Sequence, residues 1–398
     1  MASPLSASLQ TLQKDDELYW LALRMVPGLG TRKAGILVQT FRTPQAIFRA
    51  SKSELQAAGL SAAVAQSIAS GCAFEDAVTQ QQKITESNTQ VIPITDARYP
   101  PRLKDIFDPP PILYCRGRID RLQSLMLGIV GTRRPTSYGT TAAARLARDL
   151  SNAGMTISSG MARGIDTAAH KAVLEAGGDT IAVFGCGVDE VYPAENRKLA
   201  AQIIEKGLVI SEYAMGTPPY PQNFPVRNRI ISGMSAGILV VEGGEYSGSS
   251  ITAKLAVEQD RQVFAVPGNI TSKQSWGPNL LIKQGAKLVQ EWNDVLTELP
   301  VEDRRRLTNQ MRNRMNLKEI EDAESFGGTA SSVVSELGHR TGKVLLALKT
   351  DSPISLDDLL ERVPGMSSSD VLTALFELEM AGMVRQIPGK QFLRVWTD

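Results

Sequence analysis

Between Leu125 and Leu174 the chain twice repeats one local pattern. An apolar run long enough for a buried strand is followed by a glycine- and arginine-bearing turn, then by a segment with helical spacing. The first copy reads Leu125-Met-Leu-Gly-Ile-Val130, Gly131-Thr132-Arg133-Arg134, Tyr138-Gly139 and an alanine-rich stretch to Leu150. The second reads Met155-Thr-Ile-Ser-Ser-Gly160, Met161-Ala-Arg-Gly164 and a helix through His170 and Lys171. Strand, turn and helix in that order present backbone N–H groups and a helix N-terminus to an anion. Arginines in the turns add cations that can pair bidentately with phosphate oxygens. Further apolar runs predict strands near 126–130, 155–158, 180–184, 207–211, 237–241, 262–266 and 286–289, with helices between them. Runs as continuous as Thr180-Ile-Ala-Val-Phe184 and Ile238-Leu-Val-Val241 suit parallel strands covered on both faces. The expected fold class is therefore α/β with a mostly parallel sheet.

In such sheets ligands sit outside the carboxyl ends of the strands, so the loops there carry the functional reading. Gly185-Cys-Gly187 and Tyr192-Pro-Ala-Glu-Asn196 follow one strand. Asn223-Phe224-Pro-Val-Arg227-Asn228-Arg229 precedes an apolar helix and sets two cations beside an aromatic ring. Glu242-Gly-Gly-Glu-Tyr-Ser247-Gly248-Ser249-Ser-Ile-Thr252 leaves another strand and opens a helix with small residues and hydroxyls. Gly277-Pro-Asn279 begins a further helix. Each residue alone has a structural alternative: a surface ion pair for Arg133 or Arg134, a solvated helix position for Lys171, packing for Phe224, a cap for Asp166. Their placement on one predicted sheet edge is what favours phosphate binding.

At 398 residues the chain has room for two or three domains. It shows no basic-then-apolar leader and no apolar run of about 18 or more residues, so a cytoplasmic protein without a membrane span is expected. Cys72, Cys115 and Cys186 are widely spaced with no CxxC pair, which fits a reducing compartment without structural zinc. With His170 and His339 the only histidines, His-based metal sites and triads are disfavoured, and no cofactor is expected. The net charge of +1 requires that a polyanion be drawn by a local patch.

Residues 1–15 are small and polar and are expected to be mobile. From Asp16 to Phe41 helical periodicity is interrupted by Val26-Pro-Gly-Leu-Gly30, which has the form of a helix-hairpin-helix turn; a plain helical bundle with tight glycine turns fits equally well. The expected divisions are a small helical domain over 1–90, the α/β domain over 91–299, a linker over 300–337 and a tail over 338–398. Within the second, 93–111 reads as a proline-rich connector and Ile112-Leu-Tyr-Cys115 as a short strand. The tail predicts helices at 341–349, 356–362 and 368–381 and a hairpin through Ile387-Pro-Gly-Lys390, the pattern of a winged helix. Its third helix carries Asp370, Glu377 and Glu379 and no Lys or Arg, so protein contact or a structural role is expected there rather than DNA binding.

Taken together, Val130-Gly-Thr-Arg-Arg-Pro-Thr-Ser-Tyr-Gly139, Ser159-Gly-Met-Ala-Arg-Gly-Ile-Asp-Thr-Ala-Ala-His170, Val191-Tyr-Pro-Ala-Glu-Asn196, Asn223-Phe-Pro-Val-Arg-Asn-Arg229 and Ser247-Gly-Ser-Ser-Ile-Thr252 resemble the DNA-processing protein A (DprA, or Smf) family. The resemblance implies an extended Rossmann-like domain that binds single-stranded DNA and helps load RecA onto it in bacterial natural transformation. It also implies a homodimer and no catalytic turnover. Gly131, Thr132 and Arg133 match the family's phosphate-contacting turn, with Arg134 beside them. Phe224 matches an aromatic placed to stack on a base, Arg227, Asn228 and Arg229 the adjoining polar cluster, and Ser247, Gly248 and Ser249 a second phosphate loop. Lys171 lies in the helix of the second motif. Asn279 follows a proline where the family pattern has a less rigid residue. All thirteen are expected DNA contacts.

The alternative is an enzyme, a nucleoside-monophosphate hydrolase of the lysine-decarboxylase-like family. Glu242-Gly243-Gly244-Glu245 followed by Gly248 is a distorted version of that family's Gly-Gly-x-Gly-Thr loop. A nucleotide sensor using the same pocket is a third reading. Release of free base from AMP identifies the enzyme, and competition between free nucleotides and an oligonucleotide identifies the sensor.

Overall fold

Each predicted apolar run forms a strand, and together they build one sheet. The structure is a computed structural model, and it describes residues 4–245, 247–307, 341–349, 352–380, 383–387, 389 and 391–394. Its strands are β1 (Gln90–Pro93), β2 (Ile112–Gly117), β3 (Met126–Val130), β4 (Thr156–Ser159), β5 (Thr180–Val183), β6 (Leu208–Ser211), β7 (Gly237–Val240), β8 (Gln262–Ala265) and β9 (Lys287–Leu288). Among the described residues these nine strands run in the order β1-β2-β6-β5-β4-β3-β7-β8-β9. The stretch from β6 to β9 is parallel, and β2 and β1 are added antiparallel at one edge. From β3 the chain moves outward through β4, β5 and β6, then returns to place β7 on the other side of β3. The switch in direction therefore falls at β3, where an open α/β sheet leaves a crevice at its carboxyl edge.

Alternate residues of each strand face opposite sides, and the two cores follow that rule. Ile112, Tyr114, Ala182, Phe184 and Val209 pack on one side with Trp20, Leu23, Leu37 and Ile84 of the N-terminal helices. Leu113, Cys115, Ile181, Val183 and Ile210 pack on the other with Leu103, Ile230 and Met234. The buried Gln80 side chain also exchanges two hydrogen bonds with the Met215 backbone. Residues Met1–Glu298 accordingly form one compact unit. The helices before residue 90 cover one face of the sheet that the following segment forms.

Three local features differ from the pattern expected from the sequence. Residues 4–15 belong to the helix Pro4–Met25; proline at a helix start is tolerated because its missing N–H would have no partner there. β1 was not anticipated, since four residues ending in proline carry little periodicity. The segment Asn223–Arg229, expected as a loop before a helix, is the first part of the helix Asn223–Met234 itself. Pro225 lies in its first turn, where a missing N–H again costs nothing.

The second unit, Leu299–Asp398, has a helix over 301–307, so the expected linker does not begin at 300. Residues 308–337 of that linker lie outside the described residues. Beyond them come a helix over 341–347, β10 (Ile354–Ser355), the helices Leu356–Arg362 and Ser368–Met380, and the hairpin β11 (Val384–Ile387) and β12 (Gln391–Arg394). The strands form a three-stranded sheet in the order β10-β12-β11, which completes a winged helix. The three acids of its last helix are engaged within the domain. Ser367 and Asp370 cap each other's backbone N–H groups, buried Glu377 accepts from the Thr341 hydroxyl at 2.8 Å, and Glu379 accepts from Gln386 N.

At the antiparallel edge, Gly117 has a φ of 114°, a value that favours glycine. A Cβ there would lie 2.5 Å from Gly207 O and 2.8 Å from Ile204 O, both backbone atoms. Gly117→Ala is therefore expected to destabilise the protein by more than about 1 kcal/mol, read as a lower denaturation midpoint in urea. An unchanged midpoint would mean that β2 and β6 can part at no cost.

Candidate nucleic-acid interface

The loops after β3, β4 and β7 meet at the switch point and surround a cleft of about 500 Å³. Gly131, Thr132, Arg133 and Arg134 form one wall, Phe224, Arg227 and Asn228 a second, and Ser247, Gly248 and Ser249 a third. Ten of the thirteen expected contacts thus come together. Arg133 and Arg134 are exposed, as a phosphate contact requires.

The second wall follows from helix geometry. Residues three and four apart share a helix face, and residues two apart do not. Phe224, Arg227 and Asn228 therefore face the cleft together, and Arg229 faces away. Arg229 is buried, with Nη2 2.7 Å from buried Glu212 and Nε 3.0 Å from Asp108. It is a clamp inside the protein and does not line the cleft. Lys171 does not line it either. It is exposed on the helix Ile165–Glu175, next to His170, whose Nδ1 lies 2.6 Å from the Thr180 hydroxyl. Burial pushes that imidazole down to about 3, so the ring is neutral. Asn279 spends its amide on Gly268, donating to the carbonyl at 3.0 Å and accepting from the N–H at 3.1 Å. It pins the loop after β8 and is not part of the cleft wall.

Phe224 is half-buried and surrounded by groups suited to an aromatic face. The Arg133 guanidinium carbon lies 5.8 Å and that of Arg227 5.9 Å from its ring centre. The Tyr192 ring centre is 5.3 Å away with the planes inclined by 37°. Tyr192 is 44% exposed, leaving it accessible to a ligand. Tyr192 is not among the contacts expected from the sequence, although an aromatic after a strand end is a usable signal. Gly185 makes room below the ring, because a Cβ there would lie 2.9 Å from Phe224 Cδ1.

From the sequence, the helix N-termini after β3 and β4 are expected to receive an external anion. Both are filled from within. Glu242, buried immediately after β7, accepts from Thr136 N at 2.8 Å and from the Thr136 hydroxyl at 2.6 Å. Thr136 is the N-cap of the helix Ser137–Asn152. Gly139 is required beside it, because a Cβ would overlap the carboxylate. Asp166, in the first turn of the next helix, accepts from Gly160 N at 3.0 Å and Ala162 N at 3.3 Å. Buried Arg227 lies beside Asp166 and donates to the carbonyls of Gly160, at 2.7 Å, and Val183. Burial holds the Asp166 carboxyl above its ordinary range and Arg227 down at about 10, so for both groups it outweighs their mutual attraction.

The helix Gly248–Glu258 after β7 is different. Its N-cap Ser247 makes no side-chain cap bond and its first turn holds no acid. The hydroxyls of Ser247 and Ser249 lie 2.6 Å apart at the cleft wall. Uncapped first-turn amides and hydroxyls facing a cleft with two exposed arginines are equipped to hold phosphate oxygens. Among the described residues no group of His, Cys, Asp and Glu could hold a metal ion, and no helix is long and apolar enough to cross a membrane.

The family model "DNA recombination-mediator protein A" matches residues 90–300, and the "DprA winged helix domain" model matches 334–390. The chain is similar to Protein Smf of Escherichia coli, with 39% identity over 309 residues covering 77% of this chain and 78% of the relative. It is similar to Protein Smf of Synechocystis, with 33% identity over 398 residues covering 96% and 100%. The X-ray structure of DNA processing protein A (DprA) from Streptococcus pneumoniae matches with a TM-score of 0.61 and 34% identity, covering 70% of this chain and 96% of that one.

Glu242 is the link between the loops after β3 and β7. Glu242→Ala would leave the Thr136 N–H and hydroxyl without their acceptor, a loss of about 1–3 kcal/mol. A lower melting temperature and faster hydrogen exchange at the Thr136 amide are expected, with Glu242→Gln intermediate. If exchange at Thr136 is unchanged in the alanine variant, the carboxylate is not what holds this loop.

Proposed function

Because the chain belongs to the DNA recombination-mediator protein A family, we propose that it binds single-stranded DNA in the cleft at the switch point, without base-sequence preference and without breaking a bond. The observation that carries this reading is the convergence of exposed Arg133, the Phe224 ring and the uncapped Ser247–Ser249 helix start on one cleft. Arg133, Arg134 and the amides at Gly248 and Ser249 neutralise phosphates. Phe224 and Tyr192 offer ring faces to a base. Affinity then comes largely from counterion release and stacking, and phosphates and base faces carry little sequence information. The two carboxylates near the cleft, Glu242 and Asp166, already serve as hydrogen-bond acceptors for the protein's own loops. That supports a binding role over the hydrolase.

A recombination mediator passes its strand to a recombinase, and we assign RecA as that partner, the cytoplasm as the compartment and natural transformation as the setting. Two copies of the chain place two clefts on one strand and raise avidity. The winged helix is assigned to protein contact, because its last helix presents no cation to a phosphate backbone.

Arg133→Ala is expected to weaken binding to every single-stranded sequence and to flatten the salt dependence by about 0.7 in slope, the effect of one lost phosphate contact. Wild-type affinity with an unchanged slope would remove Arg133 from the interface.

Phe224 is tested by Ala, Leu and Tyr replacements. Stacking contributes about 1–3 kcal/mol per base, so Leu, which lacks a ring, is expected to bind nearly as weakly as Ala, and Tyr nearly as well as the parent. Melting temperature measured on the same proteins separates packing from stacking. Affinity loss that follows melting temperature across the series would make Phe224 a core residue only.

A further inference from the structure

A second hollow, of about 520 Å³, lies between the N-terminal helices and the loop after β6, away from the cleft walls. It is lined by Arg24, the turn Val26–Gly30, Tyr213 and Thr217. Gly28, with φ 75°, lets the chain reverse there. The helix that follows, Thr31–Phe41, has no side-chain cap and no acid in its first turn, but carries Arg32 and Lys33. Cations are disfavoured at that end of a helix dipole, so the turn holds uncompensated positive charge.

Beside it, Phe107 is 73% exposed. The Arg32 guanidinium lies over its ring, 4.2 Å from the centre, which leaves the opposite face to solvent. Both sides of this region are fixed by one buried group. Asp108, next to Phe107, and Glu212, next to Tyr213, both bind Arg229. The Tyr213 hydroxyl donates to Asn223 O at 3.4 Å, at the start of the helix that carries Phe224. The hollow is therefore joined to the cleft through Tyr213 and that helix.

We propose that this hairpin hollow is a second seat for single-stranded DNA leaving the cleft, with a phosphate held by Arg24 and the Gly28–Gly30 turn and a base stacked on the open face of Phe107. The proposal rests on the DNA-binding reading of the cleft and extends it to a longer strand. Charge complementarity and continuity with the cleft favour nucleic acid over a protein segment as the occupant.

The test uses the full-length protein and two dT oligomers, one of about 6 nucleotides, within the span of a single binding site, and one of about 30. Phe107→Ala is expected to bind the short oligomer like the parent and the long one at least about fivefold more weakly, with Phe107→Tyr restoring the long-oligomer affinity. Parent-like affinity for both lengths overturns the proposal and leaves the hollow to a protein occupant. An equal loss for both lengths overturns it too, since Phe107 would then act on the cleft or the fold. Arg133→Ala, measured in parallel, separates the two readings. If it leaves both affinities unchanged while Phe107→Ala weakens the long oligomer, the cleft assignment fails, and the hairpin is then a separate seat and not the continuation of the cleft proposed here.

Discussion

Helices that follow β3, β4 and β7 bring their amino ends to one edge of the sheet, and each end needs negative charge. Partial positive charge gathered in a small volume is stable only when it is compensated. The chain compensates two of the three ends itself, with Glu242 bound to Thr136 and Asp166 bound to Gly160 and Ala162. The third, at Ser247–Ser249, has no acid of its own. This division decides which atoms remain for a ligand. It also fixes the cleft shape, because Glu242 joins the loops after β3 and β7, and Asp166 lies beside the arginine that forms the cleft floor.

The helix Asn223–Met234 divides its arginines in the same way. Arg227 looks into the cleft yet is buried and bonded to the carbonyls of Gly160 and Val183. Its role is to support Phe224 from below and to balance Asp166. Arg229, on the far face, is enclosed by Glu212 and Asp108. Removing one partner from such a buried group is costly even where the intact pair adds little net stability. Within the cleft, positive charge available to a polyanion is thus concentrated on Arg133 and Arg134.

Much of the fold was legible because strands covered on both faces must be apolar throughout, and runs such as Thr180–Phe184 announce themselves. β1 was hidden by its length and its proline. Residues 223–229 carry too few apolar positions to show a helical period, yet they open the helix Asn223–Met234, whose first turn accepts Pro225. Had that segment been read as helical, the spacing of two between Arg227 and Arg229 would have put them on opposite faces. Glu242 could not be recognised as a cap, since its partner Thr136 is 106 positions away and only the adjacency of β3 and β7 brings them together. The acids of the winged helix were legible as composition, but not as a buried partner of Thr341 or an acceptor for Gln386.

The most direct test is a crystal structure of the protein with a short dT oligomer. The account predicts phosphate oxygens within hydrogen-bond reach of the Arg133 guanidinium and the amides of Gly248 and Ser249, with a base against Phe224. Phosphates seated instead at the helix starts held by Glu242 and Asp166, with those carboxylates displaced, would contradict it.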